Sequence, residues 1–60
     1  MNAMQELVNE AFEHYEKNGV KPDHSEIVDY VSEAFQLEFG RELDSYDYSN
    51  MEFHIMGRKD

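Results

Sequence analysis

Three histidines and fourteen carboxylates supply most of the acid–base and metal-binding chemistry open to this 60-residue sequence, which contains no cysteine. The histidines His14, His24 and His54 are dispersed. No H-x-x-x-H or E-x-x-H pair sets two ligands on one helical face, so no metal site is expected. Glu10 and His14 stand four apart and read as an ordinary helix-surface pair. Ser25 follows His24 directly, but neighbouring residues on a helix do not face each other, so no base activates that hydroxyl. Neither a glycine-rich phosphate loop nor a G-x-S-x-G turn is present. The stretch Asp44-Ser45-Tyr46-Asp47-Tyr48 is acidic but lacks the alternating ligands and central glycine of a calcium loop. The sequence therefore predicts no catalytic residues and no cofactor, and a protein that is not an enzyme.

The carboxylates are arranged for something other than catalysis. Glu6, Glu10 and Glu13 recur at helical steps, as do Glu26, Asp29 and Glu33. Successive members of such a row are separated by about 4.5–6 Å along the axis. In charge and coarse spacing the rows resemble the phosphates of a nucleic-acid strand. The plain alternative is that they are solvated faces. The whole chain has a formal charge of −9, and Arg41 is the sole base between Pro22 and Gly57. A field of that density repels nucleic acid and anionic membrane and attracts basic protein surfaces. Direct nucleic-acid binding is therefore not expected.

A second candidate is Tyr46-Asp47-Tyr48, followed by Met51 and Phe53. Tyrosine gives a large amphipathic contact area at low entropic cost, and the interleaved Asp could pair with a partner's Lys or Arg. The bland reading is that these aromatics close a small core; of the set, Phe53 is expected in the core and Tyr46 or Tyr48 at the surface. The residues expected to contact a partner are Glu26, Asp29, Glu33, Asp44, Tyr46, Asp47 and Tyr48.

The elements that must carry these groups are legible in the apolar periodicity. From about Ala3 to Asn18, the residues Met4, Leu7, Val8, Ala11, Phe12 and Tyr15 share one helical face. Asn18-Gly19 closes that helix. Pro22 holds Lys21 extended, and Asp23 with Glu26 three residues on forms a capping-box pattern. A second helix, His24 to Phe39, bears Ile27, Val28, Val31, Ala34, Phe35 and Phe39, a stripe widened by Tyr30 and Leu37. Its breadth predicts that this helix is the centre of the fold. Gly40 ends it unless Arg41 to Leu43 extend it. The segment Asp44 to Met56 is ambiguous. Ser49 and Glu52 fit a capping box opening a short helix, whereas Met51, Phe53 and Ile55 alternate with polar residues as in a strand. Gly57 to Asp60 reads as a polar, frayed tail.

The expectation is one small all-α domain over residues 1–60: a hairpin of two amphipathic helices with a short third helix or irregular C-terminal segment. No apolar run nears the ~20 residues of a membrane span. Met1 to Glu10 lacks the layout of a signal peptide, and a cytoplasmic location is expected. Repulsion among the acids predicts marginal stability at low salt.

In size, charge and aromatic content the chain is similar to the small proteins that phages use for host takeover, some of which mimic DNA. That likeness of type implies an inhibitor or modulator docking on a basic, nucleic-acid-binding surface of a target protein. The alternatives are an adaptor acting through homodimerisation of its wide apolar stripe, or an antitoxin-like partner covering a basic protein.

Overall fold

Asn2 begins the described structure by folding its side chain back over the first turn of a helix. Its Oδ1 accepts the N–H groups of Met4 at 2.9 Å and Gln5 at 3.4 Å, which satisfies donors that a helix start leaves without partners. The computed structural model describes residues 2–58. Three helices follow: α1 (Ala3–Lys17), α2 (His24–Phe39) and α3 (Ser45–Arg58). No strand occurs among the described residues, so the all-α expectation holds.

α1 stops where the Asn-Gly pair predicts. Gly19 takes φ 69°, a left-handed geometry that costs glycine little because it has no Cβ. Its N–H donates to the Glu16 carbonyl, and that of Val20 donates to the Tyr15 carbonyl, both at 3.0 Å. This is the paired closure of a Schellman motif. α2 opens with Asp23 as its cap and the anticipated capping box. The well-aligned half of that box is the Asp23 N–H donating to Glu26 Oε1 at 2.9 Å. Gly40, also left-handed, ends α2, so Arg41 to Leu43 do not extend the helix.

The third element corrects the sequence reading. α3 is a full helix of 14 residues, and Ser49 and Glu52 lie within it rather than at its start. Asp44 and Asp47 form the actual N-terminal junction. The Asp47 N–H donates to Asp44 Oδ1 at 2.9 Å, and the Asp44 N–H donates to Asp47 Oδ2 at 3.1 Å. This reciprocal pair does the work of a capping box with aspartate at both positions. The strand reading fails on burial. Met51 and Ile55, four residues apart, are fully buried, while Phe53 between them is 71% exposed. A period of two would place all three on one face; a helical period places only the outer two together. Phe53 is thus surface rather than core. Gly57 and Arg58 belong to the helix and not to a frayed tail, and Lys59 and Asp60 lie outside the described residues.

The core gathers Met4, Leu7, Val8 and Ala11 of α1, Ile27, Val31 and Phe35 of α2, and Met51 and Ile55 of α3, with Leu43 tucked in from the connector. Burying each large aliphatic side chain contributes about 1.5–3 kcal/mol before entropy is counted. α1, not α2, is the hub: it packs against both other helices more extensively than they pack against each other. Half-buried Phe12 and Tyr15 broaden its stripe enough to serve two neighbours. The wide stripe of α2 instead runs out into solvent at Leu37 and Phe39.

Polar contacts fasten the ends. Arg58 donates to Asn9 Oδ1 at 2.9 Å, lies 3.6 Å from Glu16 Oε1 and covers the Phe12 ring at 4.9 Å, which ties the end of α3 to α1. His24 Nε2 stands 2.9 Å from Glu52 Oε1, which joins the start of α2 to α3.

Candidate functional site

Each helix buries one face, so any binding chemistry must sit on the outward faces or at the junctions. On α1 the outward residues Glu6, Glu10 and Glu13 are exposed. On α2, Asp29 and Glu33 are exposed on the side opposite Ile27, Val31 and Phe35. Glu26, the third member of that row, is half-buried, and its Oε1 is committed to the cap of α2.

Asp44, Tyr46, Asp47 and Tyr48 are brought together at the first turn of α3, apart from the α2 row in sequence and element. Tyr46 and Tyr48 are exposed, at 77% and 46%. Asp44 is exposed too, yet one of its oxygens caps α3. Asp47 is buried, at 8% exposure. Its Oδ2 accepts from Arg41 Nη1 at 2.8 Å as well as from the Asp44 backbone. The Arg41 hydrogen bond, reinforced by that backbone donor, holds the Asp47 carboxyl below the usual carboxylate range. The same bond raises Arg41 above its ordinary value. Arg41 also lies 4.9 Å over the Phe35 ring, a cation–π placement that anchors the connector on the core.

This junction changes the electrostatic picture. Both arginines of the chain, Arg41 and Arg58, are engaged internally with a carboxylate and a phenylalanine ring. Two of the few cations are therefore paired within the molecule while remaining partly exposed. Basic groups do converge at one groove, where Lys21, His24 and Arg58 border Phe12, but Glu16 and Asp23 line the same groove and offset them.

The sequence reading passed over one face. Tyr46, Ser49, Phe53 and Met56 recur at steps of three and four along α3, and all four are exposed. No charged residue stands among them. The spacing is present in the sequence, but there Phe53 resembles a core residue and Ser49 a helix cap, so the row does not stand out.

Among the described residues no group of three His, Cys, Asp or Glu side chains is placed to hold a metal ion. No described helix is long and apolar enough to cross a membrane. Compared with protein-family models, curated proteins and solved structures, the chain matches none of them.

Proposed function

We propose that the protein is a small acidic binding module that docks on a basic surface of a target protein and acts there as an inhibitor or modulator. It works by binding rather than by catalysis, and a nucleic-acid-binding groove is the kind of surface it fits, because ordered carboxylates can stand in for phosphates. The observation that carries this reading is the exposed Asp29–Glu33 row of α2 in a chain whose two arginines are paired with its own Asp47 and Glu16. Solubility alone does not demand a charge of −9 at this size.

The test is affinity capture at about 50 mM salt with the protein immobilised, followed by elution near 500 mM, where screening shortens to a few ångströms. A basic protein retained at low salt and released at high salt is the expected result. The double variant Asp29→Lys/Glu33→Lys should lose that retention. Asp47 is left unaltered, since reversing it would break the α2–α3 junction and confuse unfolding with lost binding. Retention that is indifferent to salt, or that survives the double reversal, counts against the proposal.

A further inference from the structure

Leu37 is the most exposed large apolar side chain among the described residues, at 82%. It ends a strip, Tyr30, Ala34 and Leu37, that recurs at helical steps of four and three along α2. The strip borders a shallow groove of 240 Å³ whose remaining lining residue is Glu33. Small-molecule pockets run to about 300–1,000 Å³, so this groove suits one side chain of a larger partner. Tyr30 also lines a second groove, of 310 Å³, with Glu10, Glu13, His14 and Lys17 of α1. Its ring lies 5.1 Å from that of His14, and the two grooves adjoin at this tyrosine.

Charge at the grooves themselves selects the occupant. Glu10, Glu13 and Glu33 line the pair of grooves, against Lys17 and the imidazole of His14. Asp29 is exposed one turn from Glu33. None of these four carboxylates forms an ion pair within the described residues. Carboxylates therefore edge the strip from α1 at its Tyr30 end and from α2 along its length. A second copy docked face to face would set like carboxylates against like, and nucleic acid or an anionic membrane would bring phosphates to them. An amphipathic helix with basic flanks meets complementary chemistry instead. Its apolar side chains find Leu37 and the groove beside it, while its Lys and Arg reach Glu10, Glu13 and Glu33. We propose that the Tyr30–Ala34–Leu37 strip of α2 is the docking site for an amphipathic cationic helix of a partner protein. The site deepens the acidic-module reading, on which it rests, by naming the apolar anchor and the form of the basic surface.

The experiment uses two synthetic peptides of about 18 residues, both of leucine and lysine in equal proportion. One places leucine at helical steps to make an apolar face; the other has the same composition scrambled to make none. Binding to this chain is followed by fluorescence anisotropy at about 0.15 M salt. The patterned peptide should bind at least about tenfold more tightly than the scramble. Leu37→Ser, at a position too exposed to matter for folding, should reduce that preference to about twofold or less. Phe53→Ser/Met56→Ser, on α3, should keep it. A pair of double variants with equal net charge then tests whether the grooves or the whole chain supply the attraction. Glu13→Gln/Glu33→Gln should weaken the patterned peptide at least about threefold more than Glu38→Gln/Glu42→Gln, at positions that line neither groove. Equal binding of the two peptides overturns the inference and leaves the acidic-module reading standing. So does a preference that survives Leu37→Ser or is lost on Phe53→Ser/Met56→Ser, and so does equal weakening by the two charge pairs. Failure of both peptides to bind even at low salt overturns that reading as well.

Discussion

α2 and α3 are helices of similar length that bury similar chemistry and differ in what they show the solvent. Inward, Ile27, Val31 and Phe35 on one match Met51 and Ile55 on the other. Outward, α2 displays Asp29 and Glu33 along its length and Leu37 and Phe39 only towards its end, while α3 displays Tyr46, Phe53 and Met56 in a row. The inward faces are alike because close packing in water constrains both of them the same way. Outward faces are under no such constraint, so a difference between them reflects demands other than folding. A row of exposed aromatics and methionine adds little to the stability of the isolated molecule and works against its solubility. The contrast is between a charged surface, whose interactions are long in range, and an apolar one, whose interactions are short.

The largest effect should come from crossing the boundary between the two sides of α3. Ile55→Ala is expected to cost about 2–5 kcal/mol, a large share of what so small a domain has, whereas Phe53→Ser should stay within about 0.5 kcal/mol. Urea unfolding of the two variants measures this directly. A comparable loss for Phe53→Ser would mean that the face is packed, and the contrast with α2 would fail.

Next in size is the junction that separates the two faces. Asp47 is held below its ordinary value in the folded state, so the stability it contributes is fully present above the unfolded aspartate value of about 3.9. That contribution is lost as the pH falls through the lowered folded value. Asp47→Asn should be less stable at neutral pH and should lack this part of the acid decline, read by circular dichroism from neutral to strongly acid solution. Asp29→Asn, on the exposed row, should leave stability at neutral pH within about 0.5 kcal/mol of the unaltered protein. If the two aspartate variants behave alike, the buried and exposed carboxylates are not distinct.

The smallest effect belongs to the α2 row itself. Asp29→Asn/Glu33→Gln should slightly raise the melting temperature at low salt by removing repulsion, and the gain should vanish near 0.5 M salt. Thermal melts at two salt concentrations check it. A fall in melting temperature at low salt would show that these carboxylates support the fold instead of merely facing outward.

Much of the framework was legible along the chain. The Asn18-Gly19 stop, the Asp23–Glu26 start and the Gly40 stop are local devices, in which a few adjacent residues satisfy one another's backbone groups. Periodicity likewise separates inward from outward residues on α1 and on α2 as far as Phe35, beyond which Leu37 and Phe39 face solvent. Reading failed where two local signals competed. Ser49–Glu52 looked like a cap and Met51–Phe53–Ile55 looked like a strand, yet Asp44 and Asp47 had already started a helix upstream. Of the anionic row Glu26, Asp29 and Glu33 that the sequence suggests on α2, Glu26 is drawn into the cap and the other two are exposed. The apolar row of α3 is not legible, because Phe53 resembles a core residue until its helix is placed.

Composition and spacing thus determined by themselves that this would be a strongly anionic helical protein, and where its first two helices begin and end. Those properties depend on neighbours within about one turn. Only the tertiary structure decided that α1 is the hub, that Arg41 and Arg58 lie over the rings of Phe35 and Phe12, and that Phe53 faces water. Each of these depends on which side of one helix meets another, and that is set by the joint packing of all three rather than by any residue's own surroundings in the chain.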